Sequence, residues 1–383
     1  MRICLYTDTA LPKLGGQEVV VDALARQFQK LGLEVKMLAP RPRFPLRPDD
    51  EQLPYPVIRH PRFYSTHAFV AWYRWWLRRL WESWRFDLLH CHGVYPPSYL
   101  AALLHLHQHV PVVVTSHGGD VHPGSVRLAR PVVRRRVQQG LRAADALIAI
   151  SRVTRENYRR LCPQAARIVS IPNGVDLEQY SQAAPRPADL DAAIRPGEYF
   201  LFLGRLAPRK GVDLALQALA LLPATNYVRF VIAGDGDVRG DLEAMCIRLG
   251  LQSQVRFIGT TFPPTKTYLV QNSLCMVMPS RISEAFPLVV LESFAAGKPV
   301  LATRIPGLED LIDPGTTGWL IPENDPPALA LALQQALRHR AEVLAMGETA
   351  RRVAQQYGWP TIAKMHIDLY QELLSQRRRA RAG

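Results

Sequence analysis

The sequence predicts an α/β fold of two doubly wound parallel sheets, and three observations predict it. Short apolar runs alternate with amphipathic stretches of helical period along nearly the whole chain. The apolar runs are continuous, as in strands that helices cover on both faces, and do not alternate with polar residues. The rhythm breaks once, at the polar, proline-rich stretch from Ser181 to Pro196, and restarts at Tyr199. At 383 residues the chain can support two cores.

In the first half, strands are expected at 3–6, 35–38, 57–59, 87–90, 112–115, 146–150 and 168–171, with helices at 18–31, 97–108, 126–143 and 153–161. The second half carries strands at 199–203, 228–233, 255–258, 274–278, 300–302 and 319–321. Helical runs follow at 212–221 and 326–356, and a last helix at 361–376 lies beyond Gly358-Trp359-Pro360. The expected domains are 1–180 with 358–383, a linker at 181–198, and 199–357.

The segment Glu284-Ala-Phe-Pro-Leu-Val-Val-Leu-Glu292 spaces two carboxylates eight residues apart across a strand-to-helix transition. A helix that begins near Pro287 leaves Glu284 in the preceding loop and carries Glu292 about a turn and a half inside. Its first N–H groups, those of Leu288 and Val289, point between the two acids and attract an anion. Carboxylates accept hydroxyl hydrogen bonds but repel phosphate unless a cation stands opposite. The strand 199–203 ends in Gly204-Arg205-Leu206, followed by Arg209-Lys210-Gly211, and such a loop is where open α/β sheets bind ligands. Arg205 offers a planar fork and Lys210 a point charge for a diphosphate. A ligand with hydroxyls at both ends and phosphate between, such as a sugar nucleotide, fits this set. Solvated surface glutamates and loop cations fit the same spacings.

These motifs, with Gly15-Gly16, Ser116-His117-Gly118-Gly119-Asp120, Pro172-Asn173-Gly174-Val175-Asp176 and Gly234-Asp235-Gly236, resemble those of the family 4 retaining glycosyltransferases. The resemblance covers almost the whole chain and lies in the order of the motifs. It implies the GT-B fold: two Rossmann-like domains facing across a cleft, with a C-terminal helix returning to the first. It further implies transfer of a hexose from a UDP- or GDP-sugar to a glycan, lipid-linked or small-molecule acceptor, without metal or cofactor and with retained configuration. By position, Arg205 and Lys210 bind the donor diphosphate beside Gly204, Glu284 faces the donor sugar and Glu292 holds the ribose. His117 contacts the transferred sugar, and Gly15 and Gly16 let the first loop approach the phosphate. Ala285 and Pro287 stand where the family often has glycine. A nucleotide-sugar epimerase or sugar phosphorylase shares this architecture and is the alternative. A nicotinamide dehydrogenase is disfavoured, because Gly15-Gly16-Gln17-Glu18 does not make G-x-G-x-x-G.

Charge is uneven. Up to Tyr180 there are 25 Lys/Arg against 14 Asp/Glu, whereas residues 181–357 balance at 17 each. A basic first domain suits an anionic membrane surface or an acidic acceptor. Five of the seven tryptophans fall between Trp72 and Trp84, interleaved with Arg74, Arg78 and Arg79. This helix either lies in a headgroup region or packs its tryptophans into the core. Trp72 and Trp76, with Asp120, are the acceptor-side candidates. No nucleic-acid-binding signature accompanies the charge, so a nucleic-acid partner is not expected.

No signal peptide and no apolar stretch of about 18 residues is read, and the five scattered cysteines fit a reducing compartment. The expected location is cytoplasmic, with a peripheral position on the inner membrane face as an extension. Asp235-Gly236-Asp237 imitates a metal-binding D-x-D but sits in a strand-to-helix turn. His90, His92, His105, His107 and His109 lack a visible acidic or thiol partner, so metal ligands are not expected.

Overall fold

The computed structural model describes all residues except Leu14, 43–51, 62–67, Ala166, 224–228 and Gly383. The chain forms two compact units, Met1–Asn173 with Trp359–Gly383, and Gly174–Gly358. The stretch read as a linker, 181–198, belongs by its contacts to the second unit.

The first unit is built on β1 (Arg2–Thr7), β2 (Glu34–Pro40), β3 (Val57–His60), β4 (Leu88–His92), β5 (Val112–Thr115), β6 (Ala146–Ala149) and β7 (Ile168–Ser170). They form one parallel sheet in the order β3-β2-β1-β4-β5-β6-β7. Its helices are α1 (Gly16–Lys30), α2 (Ala68–Trp84), α3 (Tyr99–Leu103), α4 (Pro131–Arg142) and α5 (Arg152–Leu161). The central strands are buried throughout, which is why their sequences run apolar without alternation.

The second unit opens with α6 (Leu177–Ser181). It continues as β8 (Tyr199–Leu203), α7 (Val212–Ala220), β9 (Arg229–Ala233), α8 (Arg239–Arg248), β10 (Val255–Gly259) and α9 (Thr265–Asn272). Then come β11 (Cys275–Met278), α10 (Leu288–Ala295), β12 (Val300–Thr303), β13 (Gly318–Ile321), α11 (Pro326–Arg338) and α12 (Arg340–Ala354). The parallel order is β10-β9-β8-β11-β12-β13. One apolar cluster centres on Phe200, Phe202, Phe230 and Leu301, and another on Leu201, Met276, Phe294 and Val300. The strand read from residue 228 starts at Arg229, Val228 lying outside the described residues.

The last helix, α13 (Trp359–Ala382), returns to the first unit. Phe28 of α1 meets His366 and Tyr370 edge-on, Arg377 pairs with Asp145 at 2.9 Å, and Arg167 grips Glu372 with two bonds. All five cysteines are buried free thiols.

Three helices differ from the sequence reading. The run 97–108 breaks into α3 and a 3-10 turn, Leu106–Gln108, because His105 takes a left-handed backbone (φ 51°) between them. α4 starts at Pro131 rather than 126, since proline is suited to the first helical position and cannot accept a place deeper in the ladder. The run 326–356 is two helices that meet at His339, which leaves helical geometry at φ −110° and ψ 53°. Among the described residues no helix is long and apolar enough to cross a membrane.

The tryptophan-rich helix α2 turns Tyr73, Leu77 and Leu80 fully inward. Trp72, Trp81 and Trp84 pack half-buried against that core, and Trp76 is half-buried too. Among the described tryptophans of this helix only Trp75 is largely exposed, at 45%, stacked on Trp72 and covered by the Arg79 guanidinium. Core packing therefore accounts for most of the aromatic run.

Candidate functional site

In the second unit the strand order reverses between β8 and β11, which lie side by side. Loops leaving the carboxyl ends of strands at such a switch point diverge and open a crevice. The β8 loop carries Arg205, Arg209 and Lys210, and the β11 loop carries Ser280 and Glu284.

These loops are drawn together by backbone approach. Gly211 sits at φ 65°, and a Cβ there would lie 1.9 Å from the Pro279 carbonyl oxygen, so only glycine fits. The Arg281 N–H donates to the Arg209 carbonyl at 2.8 Å, while its guanidinium holds Asp213 with bonds of 2.7 and 2.5 Å and reaches the Pro208 carbonyl. This brace aims Lys210 at Glu284. Lys210 Nζ donates to Glu284 Oε1 at 2.7 Å, and Ser280 Oγ donates to the same oxygen at 2.9 Å. Glu284 Oε2 has Arg209 at 3.7 Å, an ion pair without a hydrogen bond. Gly307 backs the carboxylate loop, since a Cβ there would stand 1.7 Å from the Glu284 carbonyl oxygen. Glu284 is 7% exposed.

α10 begins at Leu288 with Pro287 as its N-cap, and no described side chain caps it. Helix geometry leaves the Leu288 and Val289 N–H groups without an intrahelical acceptor, at the positive end of the helix. Farther in, Glu292 Oε1 accepts from Lys266 Nζ of α9 at 2.5 Å. Its Oε2 is buried and has no hydrogen-bond partner among the described residues. Each glutamate thus commits one oxygen to a lysine, while the other faces Arg209 in Glu284 and has no hydrogen-bond partner among the described residues in Glu292.

Arg205 is exposed and donates to both oxygens of Asp237, at 2.9 and 3.3 Å, apart from the Lys210–Glu284 pair. Asp235 pairs with Arg239 at 3.2 Å, so the D-x-D look-alike is occupied by two arginines. Among the described residues no group of three or more His, Cys, Asp or Glu side chains is disposed to hold a metal ion.

The corresponding switch point of the first unit lies between β1 and β4. Gln17 spans it, donating to Thr7 Oγ1, Asp8 Oδ1 and the His92 carbonyl. Gly15 is the N-cap of α1 without a side-chain cap, and a Cβ at Gly16 would meet open space. Buried Glu18 accepts from Thr9 Oγ1 at 2.5 Å and pairs with Lys13 at 3.1 Å.

Beyond β5, His117 Nε2 lies 3.2 Å from His92 Nδ1, with the rings stacked. Burial pushes the His117 imidazole down to about 3, and holds His90 and His92 well below their usual range. His90 bridges Thr115 Oγ1 at 2.7 Å and the Tyr370 hydroxyl at 2.6 Å. Asp120 accepts from the Val94 N–H at 2.6 Å and from the Ser116 hydroxyl, and burial raises its carboxyl. Its two oxygens therefore tie the loop beyond β5 to the residues beyond β4.

The structure brings Lys210 to Glu284 and places Leu288, Val289 and Glu292 on one short helix. It sets Arg205 against Asp237, and it keeps His117, Asp120, Gly15, Gly16, Trp72 and Trp76 in the other unit. Lys266 and Arg281 escaped the sequence reading. Each is a lone cation outside any motif, 26 residues from Glu292 and 68 from Asp213 respectively.

Residues 14–179 match the family described as glycosyltransferase family 4, and residues 193–353 match that described as glycosyl transferases group 1. The D-inositol 3-phosphate glycosyltransferase of Corynebacterium urealyticum is 32% identical over 75% of this chain and 67% of its own length. The phosphatidyl-myo-inositol mannosyltransferase of Mycobacterium leprae is 29% identical over 97% and 96%. Among solved structures, Anabaena Alr3699/HepE in complex with UDP superposes with a TM-score of 0.80, at 20% identity, over 97% of this chain and all of that one.

Proposed function

This chain belongs to the family 4, group 1 glycosyltransferases, and from that premise we propose that it transfers a hexose from a UDP- or GDP-sugar with retention of configuration. The observation that carries this reading is the second unit's switch point. Lys210 and Glu284, locked together by Arg281 and Gly211, lie in loops from the same strands that lead to an uncapped helix N-terminus.

A diphosphate entering there exchanges the Lys210–Glu284 and Arg205–Asp237 pairs for contacts with its own oxygens. The helix end adds the N–H groups of Leu288 and Val289. As the glycosidic bond breaks, negative charge grows on the leaving phosphate, and these donors stabilise it. One preorganised donor of this kind is worth about 2.7–4 kcal/mol. Glu284, released from Lys210, accepts hydroxyls of the donor sugar, and Glu292 Oε2 accepts from the ribose. The charge is met by side chains and a helix end, so the step calls on no metal.

Double displacement needs a carboxylate on the far face of the sugar. Both acids of this site already serve as hydroxyl acceptors, which favours a front-face route in which the donor phosphate takes the acceptor proton. His117, kept neutral by burial, contacts the transferred sugar by hydrogen bonding rather than charge. Asp120, Trp72 and Trp76 belong to the acceptor side in this reading. The acceptor is a lipid-linked or cell-envelope glycan, met at the cytoplasmic face of an anionic membrane through the basic first unit and the exposed Trp75, Arg74, Arg78 and Arg79.

A thermal-shift screen across nucleotide sugars, followed by product analysis with and without acceptor, tests this. One UDP- or GDP-sugar should raise the melting temperature and be consumed faster when an acceptor is supplied. Stabilisation by none of them, or acceptor-independent conversion to an epimer, overturns the proposal.

A further inference from the structure

We infer that Lys266 is a positioning residue that makes the second unit selective for ribonucleotides, by holding Glu292 so that its single free oxygen meets the sugar hydroxyls. The inference rests on the reading of Glu292 as the ribose acceptor. Lys266 lies on α9 and reaches Glu292 on α10, in a bond of 2.5 Å between a lysine 23% exposed and a glutamate 12% exposed. A carboxylate so enclosed is costly unless a counter-charge and hydrogen bonds accompany it. Lys266 supplies both, but only to Oε1. Oε2 stays buried without a partner among the described residues, and a buried polar atom in that state calls for a partner that the fold itself does not supply.

The arrangement repeats that of Glu284, whose Oε1 is also taken by a lysine. The two lysines differ in setting. Lys210 sits on the loop beside the helix N-terminus, where a phosphate can capture it. Lys266 projects from a helix and is tied to the acid that lies deeper in α10. It therefore acts through Glu292 and not on the phosphates.

Calorimetric titration with UDP and GDP, each against its 2′,3′-dideoxy counterpart, measures the preference for ribose in the nucleotide that binds. Wild-type protein should prefer the ribonucleotide by roughly 10- to 100-fold, the value of a hydrogen bond to a charged acceptor. Glu292→Gln and Lys266→Met should both bring that ratio close to one with little change in dideoxynucleotide affinity, and Lys266→Arg should restore most of it. A wild-type ratio in Lys266→Met, with the ratio lost in Glu292→Gln, overturns the role of Lys266 and leaves Glu292 standing. No ribose preference in the wild type removes the reading of Glu292 itself. Equal weakening of both nucleotides in Lys266→Met makes Lys266 a phosphate-binding cation and overturns the positioning role. Melting curves of both lysine variants guard against a folding defect.

Discussion

The two switch points share an architecture and differ in electrostatics. In the second unit, the loop beyond β8 pairs its cations with acids of the neighbouring loops, Lys210 with Glu284 beyond β11 and Arg205 with Asp237 beyond β9. In the first, the pairs Lys13–Glu18 and Arg127–Asp8 lie beyond β1, while the end of β4 and the loop beyond β5 add imidazoles and a carboxyl pushed by burial toward their neutral forms. Ten of the eleven histidines lie in the first unit, and His339 is the second unit's one histidine. A parallel sheet with its crevice dictates where a ligand binds, and the loop chemistry dictates what binds. Paired charges can be exchanged for a charged ligand, whereas neutral imidazoles can grip hydroxyl-rich matter without attracting its counter-ions.

The largest expected effect strikes the charged half. Lys210→Ala should lower turnover by about 100- to 1000-fold, as loss of one preorganised donor does, and Arg205→Ala should also cut it steeply. Steady-state assay of donor consumption checks both, and near wild-type rates would erase the contrast between the units. Next comes the brace beneath it. Gly211→Ala drives a Cβ into the Pro279 carbonyl at a positive φ, and should cost the second unit about 1–3 kcal/mol in urea unfolding. Unchanged stability would mean that the loops are not held by this close approach.

Acid should separate the units the other way. Burial lowers His117 to about 3 and His366 to about 4, below the unfolded value of about 6.5, so between those limits the unfolded chain binds more protons. The stability these neutral rings carry is complete above pH about 6.5 and is lost as pH falls. Well below pH 6.5 the loss approaches about 1.4 kcal/mol per pH unit for each histidine. Hydrogen exchange followed from pH 7 to pH 4 should show the first unit opening before the second, and simultaneous opening would contradict the assignment. The smallest effect is at the surface. Asp237→Asn frees an exposed Arg205 and should tighten UDP or GDP binding by no more than a few-fold, because such pairs are worth about 0–1 kcal/mol.

Much of this was written in the chain locally. Continuous apolar runs placed the strands of both sheets within a few residues, and Pro287 marked the start of α10. Glu284 and Glu292 were legible because one short segment holds both. What was not legible depends on partners distant in sequence. Lys266 and Arg281 look like ordinary solvated cations until α10 and the start of α7 are brought beside them. The inward turn of Trp72, Trp81 and Trp84 was ambiguous because tryptophan serves a core and a membrane interface equally well. The breaks at His105 and His339 carry neither proline nor glycine, so no local signal announced them.

The most direct test is a crystal structure of the protein with its nucleotide sugar bound. The account predicts the diphosphate within hydrogen-bond reach of Lys210 Nζ and the N–H groups of Leu288 and Val289, with a ribose hydroxyl on Glu292 Oε2. A nucleotide seated away from the carboxyl ends of β8 and β11, with Lys210 still bound to Glu284, would contradict it.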